Sequence, residues 1–376
     1  MYKCEMIRKS LQFKIPAKTS RGAYTTHDML ILRLEDEQGN VGYGECAPLP
    51  DLSSDRDAYR DLAEIDALIA DYLQSIEKRG NLEGIDVLSL SQRQIENSQF
   101  PIINSQLKIA NCSALLFALE SALLDIARPT EIFSTPFARG EAGIPINGLI
   151  WMADYENMLR QIERKLNDGF RCIKLKIGAI NWADELALLK MIRRRFSLND
   201  LTLRVDANGA FSINNAMQKL DELAAFDIHS IEQPIGQGNW QEMAFLCENS
   251  PVPIALDEEL IGVYDSGERI KLLETIKPQY VVVKPTLHGG LSGATEWVTL
   301  ARRHNIGSWL TSALESNIGL RSIALLAAYL YGPDFNTKTS VLRPQSSVLY
   351  QGLGTGQLFV ENIPSTLHLM NDRLYL

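Results

Sequence analysis

Cysteine is scarce in this chain and shows no pairing pattern. Cys4, Cys46, Cys112, Cys172 and Cys247 are the five in 376 residues, and no C-x-x-C occurs among them. An odd, scattered set is neither a disulfide framework nor a thiolate metal site. It fits small buried side chains in a reducing compartment, so a cytoplasmic protein is expected. Long apolar runs are missing too. None reaches the roughly 18 residues of a membrane span, and the stretch from Met1 to Ile15 holds no apolar core of signal-peptide length, so neither insertion nor export is expected. Positive charge is in deficit: 37 Lys and Arg face 46 Asp and Glu, a net charge of −9. That balance argues against nucleic acid and anionic membranes as main partners. It leaves an anionic small molecule open, because a bound dication reverses the local sign.

What remains is an ordinary folded protein. Apolar residues make up 45% and charged residues 22%, and a chain of this length buries a large core without staples. Thr26–Glu35 and Val41–Cys46 flank the turn signal Glu37-Gln38-Gly39-Asn40, which predicts a β-hairpin. Helical periodicity runs over Ser54–Glu77 and again over Asn111–Ala127, where Asn111 or Ser113 is positioned to cap. A polar connecting segment covers about 86–108.

From about residue 143 the pattern changes to short apolar runs alternating with amphipathic helices. The runs are Ile144–Ile150, Cys172–Ile177, Leu201–Val205, Ser230–Glu232, Ile254–Leu256, Tyr280–Val283 and Ser308–Thr311, with an eighth expected near Lys338–Val341. The helices singled out are Asp154–Asp168, Trp182–Phe196, Ile213–Phe226, Gly267–Ile276 and Gly290–His304. Strand and helix repeating in this way predict a parallel sheet with crossover helices, and the number of strands favours an α/β, TIM-like (β/α) barrel. An open dinucleotide-binding sheet would need a G-x-G-x-x-G after its first strand, which is absent. The predicted division is 1–128 for an N-terminal domain, 129–345 for the barrel and 346–376 for a hairpin-like tail that packs back on the N-terminal domain.

Charge collects at the strand ends. Lys174 and Lys176 sit two apart on one strand and so share a face; Asp206, Glu232, Asp257 and Lys284 each end a later strand. Strand C-termini form the active-site face of such barrels, so one pocket would be ringed by six ionisable groups. Three carboxylates without His or Cys make a hard oxygen site suited to Mg²⁺ rather than zinc. A lysine beside a dication and a like charge comes within range of general-base work. The implied chemistry is removal of a proton α to a carboxylate, with the metal stabilising the enediolate. His288 follows Lys284 closely enough to line the same pocket, and Gly289-Gly290 before a helix offers either an anion site or a tight turn.

The set Lys174-Leu175-Lys176, Asp206-Ala207-Asn208, Glu232-Gln233-Pro234, Asp257-Glu258 and Lys284-Pro285 resembles the muconate-lactonizing subgroup of the enolase superfamily over nearly the whole chain. The resemblance implies an α+β capping domain built from the N-terminal region and the C-terminal tail. It implies Mg²⁺, with Mn²⁺ as a substitute, on Asp206, Glu232 and Asp257. Lys176 would be the acid/base on one face, Lys284 would stand on the other, and Lys174 would tune Lys176 and touch the substrate carboxylate. Asn208, Arg21, Ser312 and Glu315 would be substrate contacts, under closing loops at Lys14–Tyr24 and Glu45–Pro50. Within the subgroup, Lys284–Leu291, Thr311–Ser316 and Gly352–Gly356 are similar to segments of the o-succinylbenzoate synthase family, menaquinone-pathway lyases that act by syn dehydration. Epimerases or racemases of dipeptides or N-acylamino acids, and muconate cycloisomerases, are the alternatives within the subgroup. Residues 334–341 lack the Asp-x-Asp expected of dipeptide epimerases. A non-catalytic binding protein would have no need of the lysine and carboxylate set.

Overall fold

The computed structural model describes residues 2–19, 22–55, 61–79, 108–128, 133–178, 180–332 and 348–376. The segments 80–107 and 333–347, with the expected connecting stretch and the proposed strand at 338–341, lie outside the described residues, as does Arg21.

The N-terminal sheet is antiparallel: β1 (Lys3–Thr19), β2 (Gly22–Glu35) and β3 (Val41–Cys46), in that order. The predicted hairpin is β2–β3, with Leu30 opposite Cys46 and Glu35 opposite Val41. Asp36 fixes its turn by accepting from the Gln38 and Asn40 amides at 2.9 and 2.8 Å. Leu30, Leu32 and Leu34 alternate onto one buried face. There they meet the helices α1 (Leu62–Arg79) and α2 (Ser113–Ile126). Helix α1 starts later than its periodicity implied, at a cap where Asp61 accepts from the Ala63 amide at 2.9 Å. The predicted α2 cap is also corrected. Cys112 holds that place without a side-chain cap bond. Ser113 instead accepts from the Gly289 amide at 2.7 Å, and Asp55 accepts from the Ala114 amide at 3.3 Å.

The second unit is a curled sheet of seven strands in sequential, parallel order: β5 (Gly148–Ile150), β6 (Cys172–Lys176), β7 (Thr202–Asp206), β8 (Ser230–Glu232), β9 (Ile254–Leu256), β10 (Tyr280–Val283) and β11 (Gly307–Leu310). A two-residue strand, β4 (Ile144–Pro145), precedes it, so the run at 144–150 is broken in two. Between strands lie α3 (Tyr155–Asn167), α4 (Trp182–Arg195), α5 (Ile213–Leu223), α6 (Trp240–Asn249), α7 (Ser266–Ile276) and α8 (Gly290–Arg303), followed by α9 (Asn317–Tyr331) after β11. Helices α6 and α9 are not among those expected from the sequence. Helix α9 is buried on nearly every face, which erases the amphipathic period that marks a helix.

The gap between β11 and β5 is filled by residues 350–352. Gln351 bridges Ile146 and Gly352 bridges Thr311, both in parallel sense. Gly352 donates to the Leu310 carbonyl at 2.8 Å, and Gln351 donates to the Pro145 carbonyl at 2.8 Å. The eighth strand place is therefore held by a segment assigned from sequence to the tail; three residues carry no period to read. Inside the barrel, Ala255, Tyr280, Val282 and Trp309 form a packed layer, with the Arg204 guanidinium 3.9 Å from the Trp309 ring centroid. The tail then touches both units. Val360 donates to the Gln12 carbonyl at 2.8 Å on β1. The hairpin β12 (His368–Met370) and β13 (Arg373–Tyr375) pairs with β4. No helix among the described residues is long and apolar enough to cross a membrane.

Two carboxylates of the N-terminal unit dock it on the barrel by capping barrel helices. Glu45, at the end of β3, accepts from the Ser316 and Gly319 amides at 2.8 and 2.9 Å, at the start of α9. Glu120 of α2 accepts from the Leu291 and Ser292 amides at 2.5 and 3.2 Å, at the start of α8. Of the two readings of Gly289-Gly290, the anion is supplied from within the chain by Glu120. The turn reading holds as well, since both glycines have positive φ, 91° and 75°.

Candidate active site

The inner face of the barrel places the strand-end residues together. Lys174 and Lys176, two apart on β6, are both buried and aim inward. Asp206 ends β7, Glu232 ends β8, Asp257 follows β9 and Lys284 follows β10. One oxygen from each of Asp206, Glu232 and Asp257 lies within 4.8 Å of the others. Glu232 Oε1 and Asp257 Oδ1 are buried without a hydrogen-bond partner. Buried orphan acceptors of this kind are costly unless something positive takes them up. A hard divalent cation fits that donor set.

The three lysines answer the three carboxylates. Lys174 Nζ bonds Glu232 and lies 2.9 Å from Asp206 Oδ2. Lys176 Nζ donates to Asp206 Oδ2 at 3.0 Å and to Asn208 Oδ1 at 2.7 Å. Lys284 Nζ pairs with Asp257 at the other end of the cluster. Burial pushes the Asp206 carboxyl up, but Lys174 and Lys176 outweigh it and hold it well below the usual carboxylate range. Burial dominates at Glu232, pushed up to about 7 although Lys174 offsets part of the effect. Burial also raises Asp257, against the pull of Lys284. Burial opposes the charge on Lys174 and Lys284, yet the neighbouring carboxylates raise both above the ordinary lysine value.

The frame behind these groups joins two side-chain amides, Asn208 and Gln233, to two further glutamates, Glu258 and Glu259. Asn208, with φ 45°, donates from Nδ2 to Glu258 at 3.0 Å, which fixes its amide so that Oδ1 faces Lys176. Gln233, φ 38°, accepts from the Asp257 and Glu259 amides at 3.2 and 3.3 Å, and so ties the strand end of one carboxylate to that of the next. Non-glycine residues with positive φ at strand ends are the strained positions that functional sites retain. Gln233 and Glu258 fall inside the strand-end motifs, but nothing in the sequence marks them for this role.

A pocket of ≈ 760 Å³, open mouth included, lies above the cluster and is lined by Lys174, Lys176, Asp206, Asn208 and Lys284. Tyr24, Leu49, Leu52 and Trp151 form its apolar side. Both segments expected to close over the substrate reach the pocket, Lys14–Tyr24 through Tyr24 and Glu45–Pro50 through Leu49, and Tyr24 Oη bonds Asp51 just beyond the second. Ser312 lines the pocket, but Glu315 does not. It is fully buried behind Ser312, accepting from Ser312, from Thr286 and from the Ala313 amide at 2.7 Å. His288 does not line it either. Its Nδ1 accepts from the Lys284 amide at 2.9 Å, and burial with Lys284 alongside holds the ring well below the usual histidine range. Asn147, Trp151, Thr311 and Thr355 line the pocket without having been named from sequence as site residues.

Comparison with known proteins agrees with this geometry. The family description "Enolase C-terminal domain-like" matches residues 157–362. The chain is 45% identical to an o-succinylbenzoate synthase of Desulfotalea psychrophila (strain LSv54 / DSM 12343), over 96% of this chain and 95% of that protein. It belongs to the enolase superfamily. A solved structure, MenC from Desulfotalea psychrophila LSv54, superposes with a TM-score of 0.73 at 39% identity and covers 100% of this chain and 99% of its own. The L-Ala-D/L-Glu epimerase of Bacillus subtilis superposes with a TM-score of 0.74 at 20% identity, covering 100% of this chain and 95% of its own. That second likeness is one of fold. In this superfamily member the antiparallel N-terminal unit is the cap and the triad lies at the barrel mouth.

Proposed function

We propose that the chain is a Mg²⁺-dependent lyase that dehydrates 2-succinyl-6-hydroxy-2,4-cyclohexadiene-1-carboxylate to o-succinylbenzoate, a step of menaquinone biosynthesis. The observation that carries the reading is the placement of two lysines at opposite ends of one carboxylate triad, Lys176 on Asp206 and Lys284 on Asp257. The 45% identical relative of that name supports it. Asp206, Glu232 and Asp257 would hold the cation, which when bound supplies positive charge to the substrate carboxylate as the α proton leaves.

The chain's own groups do the rest. Lys176 Nζ takes the α proton from the ring carbon, and the electron pair moves into the carboxylate. The same Nζ then returns that proton to the departing hydroxyl on the same face. The ring–oxygen bond breaks, water leaves and the ring becomes aromatic, with no other reactant consumed. Asn208 Oδ1 and Asp206 Oδ2 hold Nζ in place for both transfers. Lys174 and Lys284, flanking the same carboxylates, add positive charge where negative charge develops. Tyr24, Leu49 and Leu52 exclude water from the apolar side. Arg21 is assigned to the substrate's second carboxylate on its charge alone.

The test is turnover. Protein stripped with a chelator should produce no o-succinylbenzoate, and Mg²⁺ or Mn²⁺ should restore production. Full conversion by the stripped protein, or none by the loaded one, would contradict the reading.

A further inference from the structure

Lys284 stands just past the end of its strand, where the sheet no longer fixes the backbone. The ladder from β10 to β11 closes with Val283 opposite Leu310, and that to β9 closes earlier, with Val281 opposite Leu256. Lys176, by contrast, lies within its ladder, opposite Asp206, and its Nζ is held by two acceptors. The two lysines therefore face the carboxylates from differently supported positions.

His288 supplies what the sheet does not. Its Nδ1 accepts from the Lys284 amide at 2.9 Å, and its own amide donates to the Lys284 carbonyl at 2.9 Å. One residue thus grips the lysine on both sides. Pro285 follows and confines Lys284 to extended backbone, so the direction of the lysine amide is the freedom left for the ring to fix. The gripping residue is itself anchored to the cap, since the next amide, that of Gly289, donates to Ser113 Oγ on α2 at 2.7 Å. An accepting Nδ1 leaves the proton of the neutral ring on Nε2. That atom is buried without a partner, in a residue 1% exposed. A buried orphan donor costs free energy, and an apolar side chain of similar size would fill the space without that cost. What offsets it is the bond at Nδ1.

We propose that His288 is the positioning residue of Lys284: its Nδ1 holds the peptide from which that lysine reaches Asp257 and the pocket, and so sets the geometry of the second lysine without touching a ligand. The proposal rests on the reading of Lys176 and Lys284 as groups on opposite faces of one bound carboxylate. Displacing a reacting group by about 1 Å costs up to about 100-fold in rate, so one backbone bond is enough to matter. The effect falls on one face, because Lys176 is held by Asp206 and Asn208 instead.

The first measurement needs no ligand. In protein labelled with nitrogen-15 at histidine, the His288 signals, identified by their loss in His288→Asn, should show an unprotonated Nδ1 and a protonated Nε2. The second measurement follows exchange in D₂O with Mg²⁺ present, on the two enantiomers of N-acetylphenylglycine, which carry an α proton and no leaving group. The enantiomer whose exchange is lost in Lys284→Ala reports on Lys284, and the one whose exchange is lost in Lys176→Ala reports on Lys176. His288→Leu should slow the first about tenfold or more and leave the second near its wild-type rate. His288→Asn, whose Oδ1 falls where Nδ1 was, should restore the first. His288→Gln, with its oxygen one bond farther out, should not, and that comparison stands even where the leucine variant fails to fold. A protonated Nδ1 would overturn the proposal. So would the lack of selective slowing in His288→Leu, or rescue by glutamine as good as by asparagine. Those results leave the dehydration reading untouched. The absence of Lys284-dependent exchange in wild type also overturns the proposal, and the absence of all exchange contradicts the proposed proton abstraction as well.

Discussion

At the scale of residues, the site is governed by how burial and charge compete over Lys174, Asp206, Glu232, Asp257 and Lys284. Glu232 shows the competition most plainly. Its carboxyl is pushed up to about 7 by burial, so below that pH the metal-free protein holds a proton that a cation must displace. Affinity for Mg²⁺ should therefore be level above about pH 7.5 and fall by about tenfold per pH unit below 7. Binding below pH 7 should release close to one proton, measurable by calorimetry in buffers of different ionisation enthalpy. Affinity independent of pH from 5.5 to 8 would refute this. The six ionisable residues were legible in the sequence because a strand end is a fixed place and charge there is conspicuous. Asn147 and Thr355 were not, since short uncharged side chains look alike on a strand and in a loop. Glu315 misled for a physical reason: it sits in a strand-end motif, but its carboxylate is consumed behind Ser312 and never reaches the pocket.

At the scale of elements, the fit between α2 and β3 is the tightest contact of the cap. A Cβ placed on Gly44 would lie 1.8 Å from the Ala118 carbonyl oxygen, and one on Gly42 would lie 2.1 Å from that of Ala122. Both obstacles are helix backbone and cannot rotate away. Gly44→Ala should cost about 3 kcal/mol or more and lower the thermal midpoint by about 4 °C or more. Gly39→Ala meets nothing within 4 Å and should cost only the strain of its positive φ, about 1 kcal/mol. Equal midpoints for the two variants would show that the close approach is not limiting. Most barrel elements were legible to within a residue or two, because apolar strand and amphipathic helix alternate cleanly. Helix α9 and the segment closing the sheet at 350–352 were not, the first for want of a polar face and the second for want of length.

At the scale of the whole molecule, the cap and the barrel form one pocket because two carboxylates of the cap neutralise two barrel helix ends. Glu45 does so across 271 positions of sequence, which no local pattern announces. The architecture of alternating strands, the cap and the ring of strand-end charge could all be read beforehand; the docking could not. The central claim is that this assembled pocket delivers one base, Lys176, to the α carbon of a carboxylate held at the triad. The most direct measurement is α-proton exchange in D₂O on a substrate analogue that cannot lose water, followed by NMR with Mg²⁺ present. Wild type should exchange, Lys284→Ala should retain part of the exchange, and Lys176→Ala should show none. Exchange by Lys176→Ala at the wild-type rate would contradict the account.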